Sequence, residues 1–336
     1  MITVDSYPIA VALCVVTMLC WGSWANTQKL ASQEWRFQLF YWDYSIGVLL
    51  LALILGFTLG STGDTGRAFL PDLLQADSKW RWSAFFGGVI FNLSNILLVA
   101  AIDIAGLAVA FPIGVGLALV LGVVTTYLAT RSGNAPMLAA GVAAIMVAII
   151  LDAVAYSRLA SASKKLPARG IVLSIVAGAL MGWFYSFVAQ AIGAVDPITH
   201  ALTPGKLSPY TALVLFSLGL FVSNFLWNSI VMRRPFHGEP VSYRDYFTQG
   251  NARLHGVGIL GGVIWNLGMS LSIIASGAAG PALSYGLGQG ATMIGAIWGV
   301  FIWKEFKGAP PGTGGLLASM FLFYLIGLGV LIASKL

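Results

Sequence analysis

Gly87-Gly88-Val89-Ile90-Phe91-Asn92-Leu93 returns 174 positions later as Gly261-Gly262-Val263-Ile264-Trp265-Asn266-Leu267. The match continues without a gap for thirty-six residues, through Gly106/Gly280, Ala108/Ala282, Gly114/Gly288 and Gly116/Gly290. An internal repeat shifts attention from what one helix does to what two related halves do together.

The surrounding composition is that of a membrane protein. Of 336 residues, 58% are hydrophobic and 9% charged, against roughly 25% charged in soluble domains. Apolar runs near twenty residues, about the length that crosses a bilayer as a helix, occur at 8–30, 37–60, 82–103, 107–130, 136–157, 170–193, 209–232, 256–276, 281–303 and 313–334. They are apolar all round, unlike the one-sided stripe of a soluble helix, and lack the period-two alternation of a barrel strand. The expected fold is therefore all-α integral membrane, with ten transmembrane helices. No Lys or Arg precedes the first run and its first half lacks a small-residue cleavage pattern, so it reads as a span rather than a cleaved signal. Cys14 and Cys20 lie inside that span and read as small buried apolar residues, not as a disulfide framework or metal site.

Loop charge gives an orientation. Arg67, Lys79, Arg81, Arg131, Lys206 and Lys335 fall on the side shared by both termini, and the other twelve Lys and Arg residues on the opposite side. The positive-inside rule makes the richer side cytoplasmic and puts both termini outside. The net charge of +6 is thus a topology signal, and no nucleic-acid partner is implied. The two copies of the repeat occupy spans three–four and eight–nine. Five spans is an odd number, so the second copy enters the membrane from the other face. The expected organisation is two inverted five-helix repeats, residues 1–157 and 170–336, joined by a cytoplasmic linker at 158–169. Such a plan places a substrate site near the midplane, where the repeats meet. Gly22-Ser23-Trp24 of span one and Gly182-Trp183-Phe184 of span six sit at matching depth, and Pro112 in mid-span marks a kink.

Polar groups at depth are expensive unless they face a cavity or a partner. Those on the repeat or at its depth are the candidates for substrate contact: Trp21, Trp24, Asn92, Asn95, Phe111, Trp183, Tyr185, Trp265, Asn266, Tyr285 and Gln289. Amides donate and accept without charge, and flat rings stack on a planar or pyranose ring, so the expected substrate is a small, uncharged, polar molecule. The competing use of each amide is to bond a neighbouring helix. Asp43, two turns into span two, is the candidate for a coupling or gating carboxylate, with Lys29 as its partner. Asp152 reads as bridged to Arg158, Lys304-Glu305 as an interfacial anchor, and Asp103 as a solvated turn residue. An enzyme is not expected. His200, His237 and His255 are placed in loops, and neither a metal cluster, a nucleophile motif nor a phosphate-binding glycine loop is found. No cofactor is implied; the partners are the substrate, a coupling proton or sodium ion, and the lipid bilayer. An uncoupled channel or facilitator is the alternative from another class.

These residues resemble the drug/metabolite transporter superfamily, and within it the ureide permease and glucose/rhamnose uptake branch. The likeness rests on Trp21-Gly22-Ser23-Trp24, Asp43, Gly87-Gly88 with Asn95, Gly106-Leu107-Ala108-Val109 and Trp303-Lys304-Glu305. It implies two inverted five-helix repeats and import, by alternating access, of a ureide such as allantoin or a nucleobase such as uracil, with protons. Uptake of a monosaccharide such as glucose or rhamnose is the alternative within the branch. Asp43 matches the branch's span-two aspartate and Asn95 its span-three asparagine. Plant members carry a long central loop with a nucleotide-binding-like motif. The stretch 157–169 is short and has none, which favours a bacterial cell membrane and puts any regulation by that loop in doubt.

Overall fold

The computed structural model describes residues 1–31, 34–105, 107–131, 133–159, 168–196, 198–236 and 238–335. Most of the linker, with Lys164 and Lys165, lies outside the described residues, as do Gly106, His237 and the side chains of Asp103, Phe111 and Pro112. The described residues are helices joined by short loops: α1 (Tyr7–Ser23), α2 (Ala25–Ala31), α3 (Phe37–Phe57), α4 (Phe69–Gln75), α5 (Ser78–Ala105), α6 (Leu107–Thr130), α7 (Ala135–Leu159), α8 (Ala168–Ala191), α9 (Pro209–Arg233), α10 (Tyr243–Gln249), α11 (Ala252–Ala279), α12 (Pro281–Gly288), α13 (Ala291–Ile297), a π turn (Trp298–Ile302) and α14 (Thr313–Ala333). The protein is an all-α integral membrane protein.

Nine segments among the described residues are long and apolar enough to cross a bilayer, with α1 and α2 counted as one. The ninth expected span, 281–303, is not a continuous helix. It divides at Gln289-Gly290 into α12 and α13, then loosens into the π turn. Gly286, Gly288 and Gly290 explain the break. Glycine has little helix propensity, and here Gly288 also lets Trp21 approach: a Cβ would lie 2.6 Å from its ring. At the break the backbone ladder tightens, with Gly290 N–H donating to Leu287 O at 2.9 Å. Interrupted helices survive in a membrane only where protein or a cavity surrounds the freed groups.

Packing follows paired rules. α5 lies between α8 and α9, and α11 lies between α1 and α3. α6 packs on α8 as α12 and α13 pack on α1; α3 meets α9 and α7 meets α14. The repeated glycines set the closest of these approaches. A Cβ on Gly88 would overlap Phe216 O and lie 2.8 Å from Leu220 N; one on Gly262 would overlap Tyr44 O and lie 2.8 Å from Val48 N. Next to them, Asn92 Nδ2 donates to Leu220 O at 3.1 Å and Asn266 Nδ2 to Val48 O at 2.8 Å. The same small-residue contact and interhelical amide bond thus occur at α5–α9 and at α11–α3. Such packing is how helices associate in lipid, where burial of apolar surface gives no net drive.

Candidate functional site

A cavity of about 330 Å³ opens between α1, α2, α5, α6, α7, α8, α11 and the broken α12–α13 segment. The size is at the lower end for small-molecule pockets. Its wall is aromatic. The Trp21 and Trp265 rings stack at 6.0 Å and 13°, and Phe91 stacks on Trp265 at 4.4 Å and 30°. Trp24 and Phe184 line it too, and both sit in the aromatic cluster, Trp24 against Tyr44 and Phe184 against Phe91. Four pairs of lining residues match under the internal correspondences: Phe91 with Trp265, Val115 with Gln289, Trp21 with Met181, Trp24 with Phe184.

Polar groups reach this wall at few points. Asn95 donates through Nδ2 to Tyr41 OH at 3.1 Å and borders the cavity. Gln289, held at the break between α12 and α13, is buried and lines the cavity, yet its side-chain amide makes no hydrogen bond among the described residues. The break places it there. Thr292 bonds back to Gln289 O at 3.0 Å and braces the turn. Gln28, Asp152 and Tyr156 complete the polar border toward the side where α2 and α7 end. A second cavity of about 260 Å³ shares Gln28 and Val99 and continues to Arg36 and Phe236 on that side.

The opposite face is laced shut. Arg67 Nε meets Asp72 Oδ1 at 2.9 Å, and its other nitrogens donate to the carbonyls of Leu202, Thr203 and Lys206 at 2.9, 3.2 and 3.1 Å. Ser208 N–H donates to Asp72 Oδ2 at 2.7 Å, and Gln75 donates to Lys206 O at 2.8 Å. These bonds tie residues 58–77 to residues 192–208. Asp72 is fully buried, and a buried charge persists only when paired in this way.

Of the expected site residues, Trp21, Trp24, Asn95, Trp265 and Gln289 are brought together at the cavity. Asn92 and Asn266 instead bond neighbouring helices, because the close glycine contact puts carbonyls within their reach. Tyr185 OH lies 3.1 Å from Ser272 Oγ, and Tyr285 OH donates to Ala118 O and Met181 O at 3.2 Å. Both are spent on packing, Tyr285 over Gly122. Trp183 is 55% exposed on the lipid-facing surface; one residue on, Phe184 takes the cavity position. Phe111 lies among the side chains not described.

Asp43 does not meet Lys29. Lys29 Nζ pairs with Glu305 Oε1 at 2.8 Å and lies 4.2 Å above the Trp303 ring. Asp43, fully buried, accepts from Trp35 Nε1 at 3.0 Å, from Tyr246 OH, and from His255 Nδ1 at 2.8 Å. His255 lies in the first turn of α11, not in a loop. Burial first, and the Asp43 carboxylate second, push the Tyr246 phenol well above its ordinary value, so it remains a donor. No sequence pattern could have joined residues two hundred positions apart. Asp152 makes no salt bridge with Arg158 among the described residues; it faces the cavity instead. Its signal was present, since an ionisable residue within a span is a functional candidate by default. Phe91 was legible too, as the repeat partner of Trp265.

Comparison with known proteins accords with this architecture. The ureide permease family model matches residues 40–169 and 164–334. Ureide permease 1 of Arabidopsis thaliana is 25% identical over 389 aligned positions, covering 100% of this chain and 99% of the relative. Ureide permease 5 of the same plant is 24% identical, covering 98% and 95%. Probable ureide permease A3 of Vigna unguiculata is 29% identical over 154 positions, 44% of this chain and 41% of the relative. A solved crystal structure shares the fold with TM-score 0.58 at 15% identity, over 98% of this chain and 99% of that one.

Proposed function

The chain belongs to the ureide permease family, and from that premise we propose that it imports a ureide or nucleobase, coupled to protons, by alternating access across the cavity. It is a multi-pass membrane transporter; the substrate, coupling and mechanism are the proposal. One observation carries the substrate class: the Gln289 amide lies in the cavity with its donor and acceptor unspent. A ureide or uracil-type amide offers N–H beside C=O, which an amide side chain answers with two hydrogen bonds. Its flat face suits the wall of Trp21, Trp265 and Phe91.

We read the two halves, 1–157 and 170–336, as inverted repeats whose axis passes through the cavity. The paired lining residues and the paired Asn92 and Asn266 bonds support this reading. Loop charge supports termini outside, and the short 158–169 linker supports a bacterial cell membrane. In this frame the cavity faces the cytoplasm. The Arg67–Asp72 lacing is the closed outer gate, and the Asp43–His255–Tyr246 cluster and the Lys29–Glu305 pair, both formed here, brace the helix ends beside the open inner mouth. The cycle opens the outer lacing as the cavity closes on the Gln28 side, and substrate binding stabilises the passage between the two states.

The test is ligand binding to the purified protein by thermal shift, since a ligand stabilises by RT ln(1 + [L]/Kd). Allantoin, uracil or xanthine shifts the transition and glucose and rhamnose do not. Stabilisation by the sugars alone moves the substrate to the monosaccharide class. Gln289→Ala weakens allantoin binding by about tenfold, the worth of one or two hydrogen bonds.

A further inference from the structure

Asp152 stands in the last third of α7, one turn before Tyr156, and both side chains border the cavity. The residue is 8% exposed, and its Oδ1 has no hydrogen-bond partner among the described residues. An ionised carboxylate buried without donor or cation is costly. Every other buried carboxylate described here is spoken for: Asp72 by Arg67 and Ser208, Asp43 by Trp35, Tyr246 and His255. Asp152 is the exception, and it is the one that faces the substrate cavity.

We propose that Asp152 carries the coupling proton. This rests on the reading of the cavity as the substrate site, and it moves the coupling role from Asp43, whose carboxylate is occupied by three donors, to a carboxyl that a bound substrate can touch. A hard metal ion requires a shell of several oxygen ligands, whereas a proton requires one oxygen. With one of its oxygens buried and unpartnered, Asp152 fits the proton.

The groups around it give the proton an exit. Tyr156 is on the same helix face at i+4 and donates to Glu305 Oε2 at 2.8 Å, and Glu305 pairs with Lys29 at 2.8 Å. Both members of that ion pair are partly exposed, at 31% and 46%, at the mouth toward which the cavity extends. On α14, packed against α7, the titratable neighbour is Tyr324. α6, also packed on α7, carries Tyr127 near its far end, with Arg131 just beyond it, before the start of α7. Arg158 lies two residues beyond Tyr156, with its guanidinium 3.3 Å from where a Cβ on Gly312 would be. No lysine, arginine or histidine lines the cavity among the described residues. The carboxyl therefore loads a proton when the cavity faces outward, enters the cycle neutral beside the substrate, and loses the proton to water at the Tyr156–Glu305 mouth when it faces inward.

Asp152→Asn keeps the neutral shape and removes the proton site. In proteoliposomes, wild-type protein accumulates allantoin under an inward proton gradient, up to about tenfold per pH unit for one proton per substrate. The variant brings allantoin only to equality across the membrane, while its counterflow persists. Replacing sodium by choline in the wild type leaves accumulation unchanged; loss on that replacement, with none on collapse of the pH gradient, assigns the carboxylate to sodium and overturns the inference. So does undiminished gradient-driven accumulation by Asp152→Asn. Infrared difference spectra between acid and neutral pH need no substrate and decide the case if the variant transports nothing. The wild-type protonated-carboxyl band loses one component in Asp152→Asn and keeps that component in Asp43→Asn; a band unaltered by Asp152→Asn overturns the assignment. Absence of ureide counterflow in the wild type rejects the substrate reading instead, and the infrared result still stands.

Discussion

Replacing Gly262 by alanine tests the close approach of α11 to α3. The new Cβ would overlap Tyr44 O and sit 2.8 Å from Val48 N, both on the backbone of α3, so no side chain can swing aside. Ordinary contact begins near 3.4 Å; α3 and α11 must part by on the order of 1 Å, as overpacked cores do. The Asn266 bond to Val48 O, 2.8 Å long and one turn away, is then stretched beyond hydrogen-bond range. Overpacking costs about 1–3 kcal/mol, and the lost buried bond adds about 1 kcal/mol. The destabilisation is therefore about 2–4 kcal/mol. Gly88→Ala, against Phe216 O and Leu220 N, costs a similar amount. Gly277→Ala on the same helix meets nothing within 4 Å and is neutral, or stabilising by up to about 1 kcal/mol through helix propensity. Equilibrium unfolding in mixed micelles of mild detergent and sodium dodecyl sulfate measures all three. If Gly262→Ala matches Gly277→Ala within about 0.5 kcal/mol, the close approach is not what holds these helices together.

Trp183→Ala leaves substrate affinity and transport rate unchanged, because the ring lies on the lipid-facing surface; Trp21→Ala, at the cavity wall, weakens affinity in the same uptake assay. Arg67→Ala removes the ties to Asp72 and residues 202–206 and shifts the population toward the outward-facing state. A cysteine introduced as Phe91→Cys, in protein whose Cys14 and Cys20 are replaced, is then labelled several-fold faster by an impermeant thiol reagent applied from the Arg67 side; an unchanged rate shows that this lacing is not a gate. Asp245 caps α10: its carboxylate accepts from the Ser242 side chain and then the Ser242 backbone, which holds it below the ordinary 3.8. A depressed acid contributes stability above its unfolded value, lost as pH falls through the lowered folded value. Protection of the α10 amides, measured relative to intrinsic exchange, therefore falls only as the pH drops below 3.8 in wild type, and Asp245→Asn removes that acid limb; identical pH profiles would show that the cap does not hold the helix.

The membrane class and most of the spans were legible because hydropathy over twenty residues is a strong local signal. The repeat was legible because Gly88 and Gly262 each admit a backbone that no larger residue admits. The break in span nine is not legible, since Gly286, Gly288 and Gly290 also pack in unbroken helices and only the fold shows Trp21 occupying the space that Gly288 leaves. At the site, Trp265 and Gln289 were found through their place on the repeat. Asn92 and Asn266 were not separable from them, because which face of a buried helix meets a cavity is decided by neighbours and not by the helix's own sequence. The partners of Asp43 were invisible for the same reason: Tyr246 and His255 arrive from α10 and α11, far along the chain.

Counterflow tests the central claim most directly. Proteoliposomes loaded with unlabelled allantoin, diluted into a trace of labelled allantoin without a pH gradient, draw in label to a transient overshoot if the protein is a carrier of ureides. Gln289→Ala requires more internal allantoin to produce the same overshoot. A flux that rises linearly with concentration and never overshoots contradicts a carrier, and an overshoot with glucose or rhamnose but none with allantoin, uracil or xanthine contradicts the ureide site.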